Sequence, residues 1–246
     1  MTATSHGGSA SLAANDYWWY RARTSLLETI LADRVGQPQR VLDVGSADGP
    51  SVGWLQQHDG LHVTLDIDPR GLTAGGVCGS ALILPFADGS FDIVGAFDVI
   101  EHCDPESTAL SELARVLAPG GTMMISVPAY TWAWSSFDDI NGHHRRYTRR
   151  RAVKAVKASG LRIDRATYAF AAVFPFFAMQ RLATRLVETV RRKDQATPAD
   201  VVDLPSVSPG LSSFLLRLCR LDSRVLRRTN LPFGSSVVLA ASKPLS

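Results

Sequence analysis

The segment VLDVGSADGPS, from Val41 to Ser51, constrains the fold of this chain more than any other stretch. Its apolar start predicts a short buried strand that ends at Gly45, followed by a glycine-rich turn and a helix that begins near Pro50. Glycine lets a ligand approach bare backbone, and the unpaired N–H groups at a helix N-terminus favour negative charge. The segment therefore predicts an α/β fold with a ligand-binding turn after its first strand.

A second acidic residue follows this turn at a characteristic distance. In VTLDID, Asp66 ends the next predicted strand, 21 residues after Gly45. A glycine turn followed about 20 residues later by a strand-end carboxylate is the arrangement with which an α/β sheet holds a nucleoside. Backbone groups contact the charged part of such a ligand, and the carboxylate binds the ribose hydroxyls.

The residues within the turn distinguish between nucleotides. A dinucleotide fingerprint requires three glycines in the pattern G-x-G-x-x-G, whereas this chain has Gly45, Ala47 and Gly49. The carboxylates of Asp43 and Asp48 would repel a pyrophosphate, and they suit a ligand that carries a positively charged amino group. The turn therefore favours S-adenosyl-L-methionine (SAM) over NAD.

The run from Leu84 to Pro128 resembles the type-11 class I methyltransferase domain, and the resemblance extends over about Trp18 to Tyr147, just over half of the chain. It implies SAM-dependent methyl transfer and a Rossmann-like α/β fold, with a seven-stranded, mostly parallel sheet and helices on both faces. The shared motifs are an LPF turn (84–86), a strand that begins FD (91–92), a Glu-His pair (101–102), a helix that ends RVL (115–117), then PGG (119–121) and a strand that runs to Pro128.

Local sequence signals agree with this order of elements. Phe91 to Phe97 is a mostly apolar run, as expected for a central parallel strand. Asp104 is predicted to cap the next helix, with Pro105 at its first position. Gly120 and Gly121 are predicted to stop that helix.

The resemblance also implies a set of cofactor contacts. The turn would hold the methionine end, a strand-end acid the ribose, and two later segments the adenine. Ala47 stands where the family usually has glycine, and Ser80 where it often has aspartate, so the contact of Ser80 with the adenine amine would be weaker. The predicted cofactor-binding residues are Asp43, Gly45, Ala47, Gly49, Asp66, Ile67, Ser80, Ala81 and Phe97.

A second motif follows the predicted fifth strand. One subset of the family carries D-x-x-x-G-H-x-R-R-Y there, and residues 138, 142, 143 and 145–147 match it. In the class I fold this segment lies over the methyl group, where a histidine with a pKa near 6.5 suits a general base. The alternative is a structural cap, with Arg146 paired to Asp138 or Asp139. The candidate catalytic residues are His143, His144 and His102, the candidate substrate contacts are Tyr17, Asp139, Arg145, Arg146 and Tyr147, and no metal site is predicted.

Charge is distributed unevenly along the chain. Residues 1–144 contain 6 Lys and Arg against 17 Asp and Glu, whereas residues 145–246 contain 20 against 6. The net charges of −11 and +14 predict an acidic cofactor half and a basic half that faces an anionic acceptor. A solvated arginine-rich surface would produce the same asymmetry.

A long helical insert precedes the last predicted strand. Residues 169–231 separate strands predicted at 161–168 and 233–242, and they contain candidate helices at 175–193 and 211–228 with apolar and arginine-rich sides. A proline-rich stretch, 194–210, is predicted to be a flexible loop. The insert is open to three interpretations: a lid or pocket wall, a homodimer face, or peripheral contact with an anionic membrane. Its apolar run at 166–179 is too short to span a bilayer.

Length and composition predict one domain. A chain of 246 residues with 46% hydrophobic content can bury a full core, so residues 15–246 are predicted to form a single domain after a disordered tail at 1–14. Three widely spaced cysteines form neither a metal pattern nor a disulfide framework. With no recognisable signal peptide, this predicts a cytoplasmic protein, either free or at a membrane surface.

The sequence as a whole predicts a SAM-dependent methyltransferase that modifies oxygen rather than nitrogen on a small-molecule, lipid-linked or sugar-linked acceptor. A nucleic-acid partner is not expected, because residues 97–100 read FDVI rather than the N/D-P-P-Y/F motif and no RNA-binding module is present. Two alternatives remain open at this point: methylation of a macromolecule, and a non-catalytic SAM-binding regulator or partner subunit.

Overall fold

The structure is a computed structural model that describes residues 17–45, 53–72, 75–190 and 207–245. Seven strands form one sheet in the order β3-β2-β1-β4-β5-β7-β6. Strand β7 runs antiparallel to both of its neighbours, and the other pairings are parallel. The strands are β1 (Arg40–Val44), β2 (Leu61–Asp66), β3 (Val77–Cys78), β4 (Phe91–Phe97), β5 (Leu117–Pro128), β6 (Arg162–Ala169) and β7 (Ser236–Ser242).

Helices cover both faces of this sheet, which confirms the predicted fold class. One layer is formed by α1 against α6, and the other by α2 against α4. No helix among the described residues is long and apolar enough to cross a lipid bilayer. The helices are α1 (Trp18–Leu31), α2 (Glu106–Val116), α3 (Ser136–Ile140), α4 (Arg149–Ala158), α5 (Phe174–Val190) and α6 (Pro209–Leu226).

The core lies between the sheet and these two layers. Leu42, Val94 and Met124, on three adjacent strands, are fully buried. Because β1, β2 and β4 are parallel, their carboxyl ends meet at one edge of the sheet, where Gly45 donates its N–H to the carbonyl of Leu65 at 2.7 Å. This edge is where an open α/β sheet binds ligands.

Two local predictions around α2 are wrong. Pro105 caps α2 instead of occupying its first helical position, and no side chain caps that helix. The helix ends at Val116, and the chain is extended from Leu117 onward, so Gly120 and Gly121 lie inside β5 instead of stopping the helix. The physical reason is pairing: Leu117 already opposes Phe91 of β4, so the sheet takes over the backbone before the glycines are reached.

Other predictions fall partly or wholly on residues that the structure does not describe. These include the tail at 1–14, the turn residues Ala47 and Gly49, the helix start near Pro50, and most of the loop at 194–210. From Gly53 the chain forms only one 3-10 turn, Leu55–Gln57, before β2, so the predicted helix does not extend into the described part of this connection.

The insert between β6 and β7 contains the two predicted helices, at slightly shifted bounds. The buried side of α6 includes Cys219, Asp222 and Leu226. Several apolar residues of the two predicted helices are exposed, because α6 packs against the rest of the protein with one side only and its other side faces solvent. The exposed large apolar side chains on α5 and α6 are Phe176, Met179, Leu182, Leu211, Phe214, Leu221 and Val225.

Candidate functional site

One large cavity of about 950 Å³ opens at the carboxyl edge of the sheet. Its walls come from the start of α1, the ends of β1, β2 and β4, the segment after β5, and both helices of the insert. The volume lies at the upper end of the range of about 300–1,000 Å³ that small-molecule sites occupy. There is room for a cofactor and a second ligand.

Gly45 forms the floor of this cavity at the end of β1. Its φ is +75°, a conformation that L side chains rarely adopt, and a Cβ built on it would lie 2.3 Å from Cγ2 of Val99. Glycine is therefore required here on two counts, the backbone conformation and the close approach of the β4 loop. The predicted break of the strand at this residue is confirmed.

Asp66 ends β2 at the cavity wall, beside Gly45. Its side chain is buried, and Oδ1 accepts a hydrogen bond of 2.9 Å from the N–H of Asp68. Next to it, Ile67 leaves 74% of its surface exposed, which is unusual for isoleucine and provides an apolar platform in the cavity. The loop after β3 adds Ser80 and Ala81 to the same wall.

The other four predicted cofactor residues have different placements. Phe97 lines the cavity at the end of β4. Asp43 is buried within β1 and does not line the cavity, although its carboxylate lies 3.6 Å from the position of a Cβ built on Gly95. Ala47 and Gly49 lie outside the described residues.

A second part of the cavity wall is organised by Asp138, near the start of α3, whose partners His143 and Arg146 line the cavity. Its side chain has no exposed surface, and its oxygens accept hydrogen bonds from Nδ1 of His143 at 2.8 Å and from Nε and Nη2 of Arg146 at 2.7 and 3.0 Å. The N–H of Ser135 donates to it at 2.9 Å, which completes a capping box. Burial alone would raise the pKa of Asp138, but the hydrogen bonds from His143 and Arg146 outweigh it and lower the pKa to about 2.

His143 is the predicted catalytic residue that this network orients. The charged Asp138 accepts from Nδ1, so the imidazole keeps Nε2 for the cavity, which His143 lines. The ring of His102 stands edge-on to it, with centroids 4.6 Å apart. Burial and the proximity of His143 both lower the pKa of His102, which keeps that ring neutral.

Of the other residues predicted from this segment, His144, Asp139 and Arg145 do not line the cavity. The ring of His144 is exposed, and Asp139 accepts a hydrogen bond from Nε1 of Trp134. Arg145 pairs with Asp104 and hydrogen-bonds the carbonyl of Cys103. Arg146 lines the cavity but is only 5% exposed, and its charge is committed to Asp138.

Tyr147 and Tyr17 differ in whether they line the cavity. Tyr147 is buried outside the cavity lining, and its hydroxyl donates a hydrogen bond to Glu106. Tyr17, at the N-terminus of α1, lines the cavity together with the aromatic residues that follow it.

Sequence reasoning missed a buried polar cluster next to these histidines. Arg23, on α1, pairs with Asp98 just after β4 at 2.7 Å, and Asp98 also accepts from the hydroxyl of Ser126 at 3.0 Å. Three residues further on, Glu101 is buried and lines the cavity, and its Oε2 has no hydrogen-bond partner in the described part of the chain. Burial raises the pKa of Glu101 well above its usual range, and the carboxylate of Asp98 adds to this. The sequence signal for this cluster is a pair of acidic residues, Asp98 and Glu101, shortly after β4, whose end was predicted correctly.

A seven-stranded sheet with one reversed strand beside its edge, and a ligand-sized cavity at the carboxyl ends of β1, β2 and β4, defines the class I methyltransferase fold. Residues 42–125 match the sequence model of a family described as a methyltransferase domain. Over these residues, about a third of its length, the chain is similar to the type-11 methyltransferase domain, and this similarity supports SAM as the cofactor.

Known proteins agree with this assignment. A demethylmenaquinone methyltransferase from Beutenbergia cavernae is 33% identical over 138 residues, which cover 52% of this chain and 54% of that protein. A malonyl-[acyl-carrier protein] O-methyltransferase from Erwinia billingiae is 38% identical over 102 residues, or 37% of this chain and 39% of the relative. The chain thus spans about half or less of the length of these two relatives.

Solved structures show the same fold. A phosphoethanolamine N-methyltransferase from Haemonchus contortus, in complex with SAM, superimposes with a TM-score of 0.56 at 17% identity, over 96% of this chain and 57% of the other.

Proposed function

We propose that this protein is a SAM-dependent methyltransferase that transfers a methyl group to an oxygen atom of a small, largely apolar acceptor. The observation that carries this proposal is the continuity of the cavity. The same space is lined by Gly45 and Asp66 at one end, by Glu101 and His143 in the middle, and by the helical insert at the other. A methyl donor and an acceptor can therefore lie side by side, which supplies much of the rate of such a transfer.

The residues at the first end fit SAM. Gly45 leaves bare backbone at the end of β1, where a side chain would collide with Val99. Asp66 presents a strand-end carboxylate for the ribose hydroxyls, and Ile67 offers an apolar surface for the adenine. Bound SAM supplies an electrophilic methyl group on a sulfonium, so that the protein has to position the acceptor and remove its proton.

In the proposed reaction, His143 removes the proton of the acceptor. Asp138 fixes the orientation of the imidazole, and the Asp138 carboxylate is itself held by Arg146 and Ser135. A histidine hydrogen-bonded to a buried, charged carboxylate is held in one tautomer and cannot rotate away. We expect its loss to reduce turnover far more than SAM binding.

The far end of the cavity favours an apolar acceptor. It is lined by four apolar residues that come from the segment between β6 and α5, from α5 and from α6: Phe170, Val173, Phe177 and Leu215. Arg181 contributes a positive charge at this wall, where it donates to the hydroxyl of Ser135, and would suit an anionic group on the acceptor. Arg145 and Arg146 are less suited to that role, because both are engaged with acidic side chains.

A lipid-linked acceptor agrees with the outer surface of the insert. Phe176, Met179 and Phe214 are exposed on α5 and α6, and the exposed Arg217 and Arg220 lie on α6 as well. Such a surface suits contact with an anionic membrane from which a lipid could enter the cavity. The two relatives are named for acceptors of a related kind, demethylmenaquinone and a carrier-bound malonyl group.

Two measurements test the proposal. Asp66→Ala should abolish most of the SAM affinity in calorimetry, whereas the matched control Asp68→Ala, two residues on, should retain it because that carboxylate pairs with Arg70. Absence of SAM binding by the wild-type chain would contradict the cofactor assignment, and unchanged binding in Asp66→Ala would contradict the role of Asp66. Mass spectrometry of a panel of hydroxylated lipids and small molecules, incubated with isotopically labelled SAM, should reveal one labelled product. SAM binding without any product would instead support a regulatory protein.

A further inference from the structure

We propose that Glu101, His102 and His143 bind one divalent transition-metal ion at the centre of the cavity. Each residue offers one ligand atom, and these atoms all lie within 4.8 Å of one another. The inference deepens the proposed function and rests on it for the role of the ion, although binding of the ion can be measured separately.

Glu101 provides the first independent indication. The side chain is 1% exposed, and its Oε2 has no hydrogen-bond partner among the described residues, although it lines the cavity. Buried carboxylate oxygens are almost always paired, because leaving one unpaired forfeits its hydration without compensation. A cation in the cavity would supply the missing partner.

His143 is held as a metal-binding histidine usually is. A ligating imidazole commonly donates its second N–H to a carboxylate or a backbone carbonyl, which fixes the ring and its tautomer. His143 has this arrangement through Asp138, so its Nδ1 is committed and its Nε2 is available to an ion. His102 is exposed at the cavity, and its ring stands edge-on to that of His143, with centroids 4.6 Å apart.

The donor set determines which ion fits. Zn–N and Zn–O bonds of about 2.0–2.2 Å place the ligands of one ion about 3–3.5 Å apart, so side-chain rotations of about 1 Å would bring all three atoms onto it. Two imidazoles and one carboxylate favour Zn²⁺, Mn²⁺, Fe²⁺ or Co²⁺ over Mg²⁺, which prefers an all-oxygen shell. Three protein ligands also leave coordination positions open for an acceptor.

An ion at this position would activate the acceptor hydroxyl. The hydroxyl oxygen binds the ion, its pKa falls, and its proton passes to water that leaves the cavity. The oxygen then forms a bond to the methyl carbon as the bond between that carbon and the sulfonium sulfur breaks, which yields the methyl ether or ester and neutral S-adenosylhomocysteine. With the ion bound, Nε2 of His143 is a ligand and not the base, so the ion and water take over the removal of the proton.

Metal binding to the full chain tests the inference. After treatment with a chelator, equilibrium dialysis against Zn²⁺ alone should load one ion per chain, and Co²⁺ should give visible absorption bands typical of nitrogen ligands. Glu101→Gln and His143→Ala should weaken Zn²⁺ binding at least about tenfold, whereas His58→Ala, a histidine outside the cluster, should leave it unchanged. SAM calorimetry on each variant verifies that it is folded.

The outcomes separate the two proposals. A wild-type chain that binds SAM but none of Zn²⁺, Mn²⁺ and Co²⁺ would overturn the metal site and leave the methyltransferase intact, and this result does not depend on the folding of any variant. Zn²⁺ binding of equal strength in Glu101→Gln and wild type would also overturn it. A chain that binds Zn²⁺ at the cluster but does not bind SAM would refute the proposed function instead.

Discussion

Nδ1 of His143 lies 2.8 Å from Oδ1 of Asp138, a carboxylate with no exposed surface. The same carboxylate accepts two hydrogen bonds from Arg146, so a single acid orients the histidine and neutralises a buried arginine. The sequence offered these as alternatives, a catalytic segment or a structural cap, and the structure combines both arrangements in one network.

Asp138→Asn should therefore impair both stability and turnover. It leaves Arg146 as a buried charge without its partner, which typically costs about 3–5 kcal/mol in the free energy of unfolding. It also loosens His143, and we expect kcat to fall about 10–100-fold in the folded fraction. Urea denaturation and steady-state kinetics measure the two effects. Asp164→Asn, an exposed acid on β6, is the control, and equal kcat in Asp138→Asn and wild type would show that the pair is structural only.

Gly45→Ala should reduce both stability and SAM affinity. A positive φ costs a non-glycine residue about 1–2 kcal/mol, and the new methyl would also meet Cγ2 of Val99. Gly36→Ala is a matched control, since Gly36 has a φ of +63° but no atom within 4 Å of an added Cβ. Thermal unfolding should therefore show a larger loss for Gly45→Ala. Adding Val99→Ala should recover only the part due to the clash, and equal losses at the two glycines would contradict the close approach.

Asp222 should make the stability depend on pH in a predictable direction. Burial raises the pKa of Asp222 in the folded state, where its carboxylate accepts from the N–H of Ala172 at 3.1 and 3.2 Å. The folded state then holds a proton that the unfolded state releases above about pH 4, so stability from this group falls as pH rises from there through the folded pKa.

The substitution Asp222→Asn should remove that dependence. The amide oxygen can still accept from Ala172, and no charge has to be buried at neutral pH. Urea denaturation at pH 5 and pH 7.5 should show a decrease in the free energy of unfolding of wild type that is smaller in Asp222→Asn. A decrease of the same size in both proteins would mean that Asp222 does not carry the effect.

The exposed apolar residues of the insert should mediate binding to anionic vesicles. Replacing Met179 and Phe214 with aspartate removes apolar contacts and adds repulsion from the surface, so cosedimentation with vesicles rich in phosphatidylglycerol should be lost. Ile83→Asp is the control, because Ile83 is equally exposed but lies on a loop outside the insert. Binding of the wild-type protein to anionic vesicles should also weaken as the salt concentration is raised. If neutral vesicles bind as well as anionic ones, or if the double variant still binds, this surface has another role.

Local sequence patterns determined the elements that form the floor of the site. The apolar run 91–97 became β4 at its predicted bounds, and Asp66 ended β2 as predicted, because buried parallel strands depend on short-range hydrophobicity and turn residues. The end of β1 at Gly45 was also predicted correctly, because a glycine at this position indicates a turn. Both ends of α2 were predicted wrongly, because Pro105 caps the helix and the sheet pairing of Leu117 ends it before the glycines are reached.

The tertiary structure alone decided how the functional groups are paired. The sequence placed Asp138, Asp139, Arg145 and Arg146 within nine residues. It could not show that Asp138 and Arg146 form the buried pair, whereas Asp139 and Arg145 bond to other partners. It also gave no sign that Glu101 would face the same cavity as His143, 42 residues later. Such pairings depend on burial and on contacts between elements distant along the chain, which residue spacing does not encode. The sequence thus determined the sheet and the cofactor end of the site, and the packing of β4, α3 and the insert determined its chemistry.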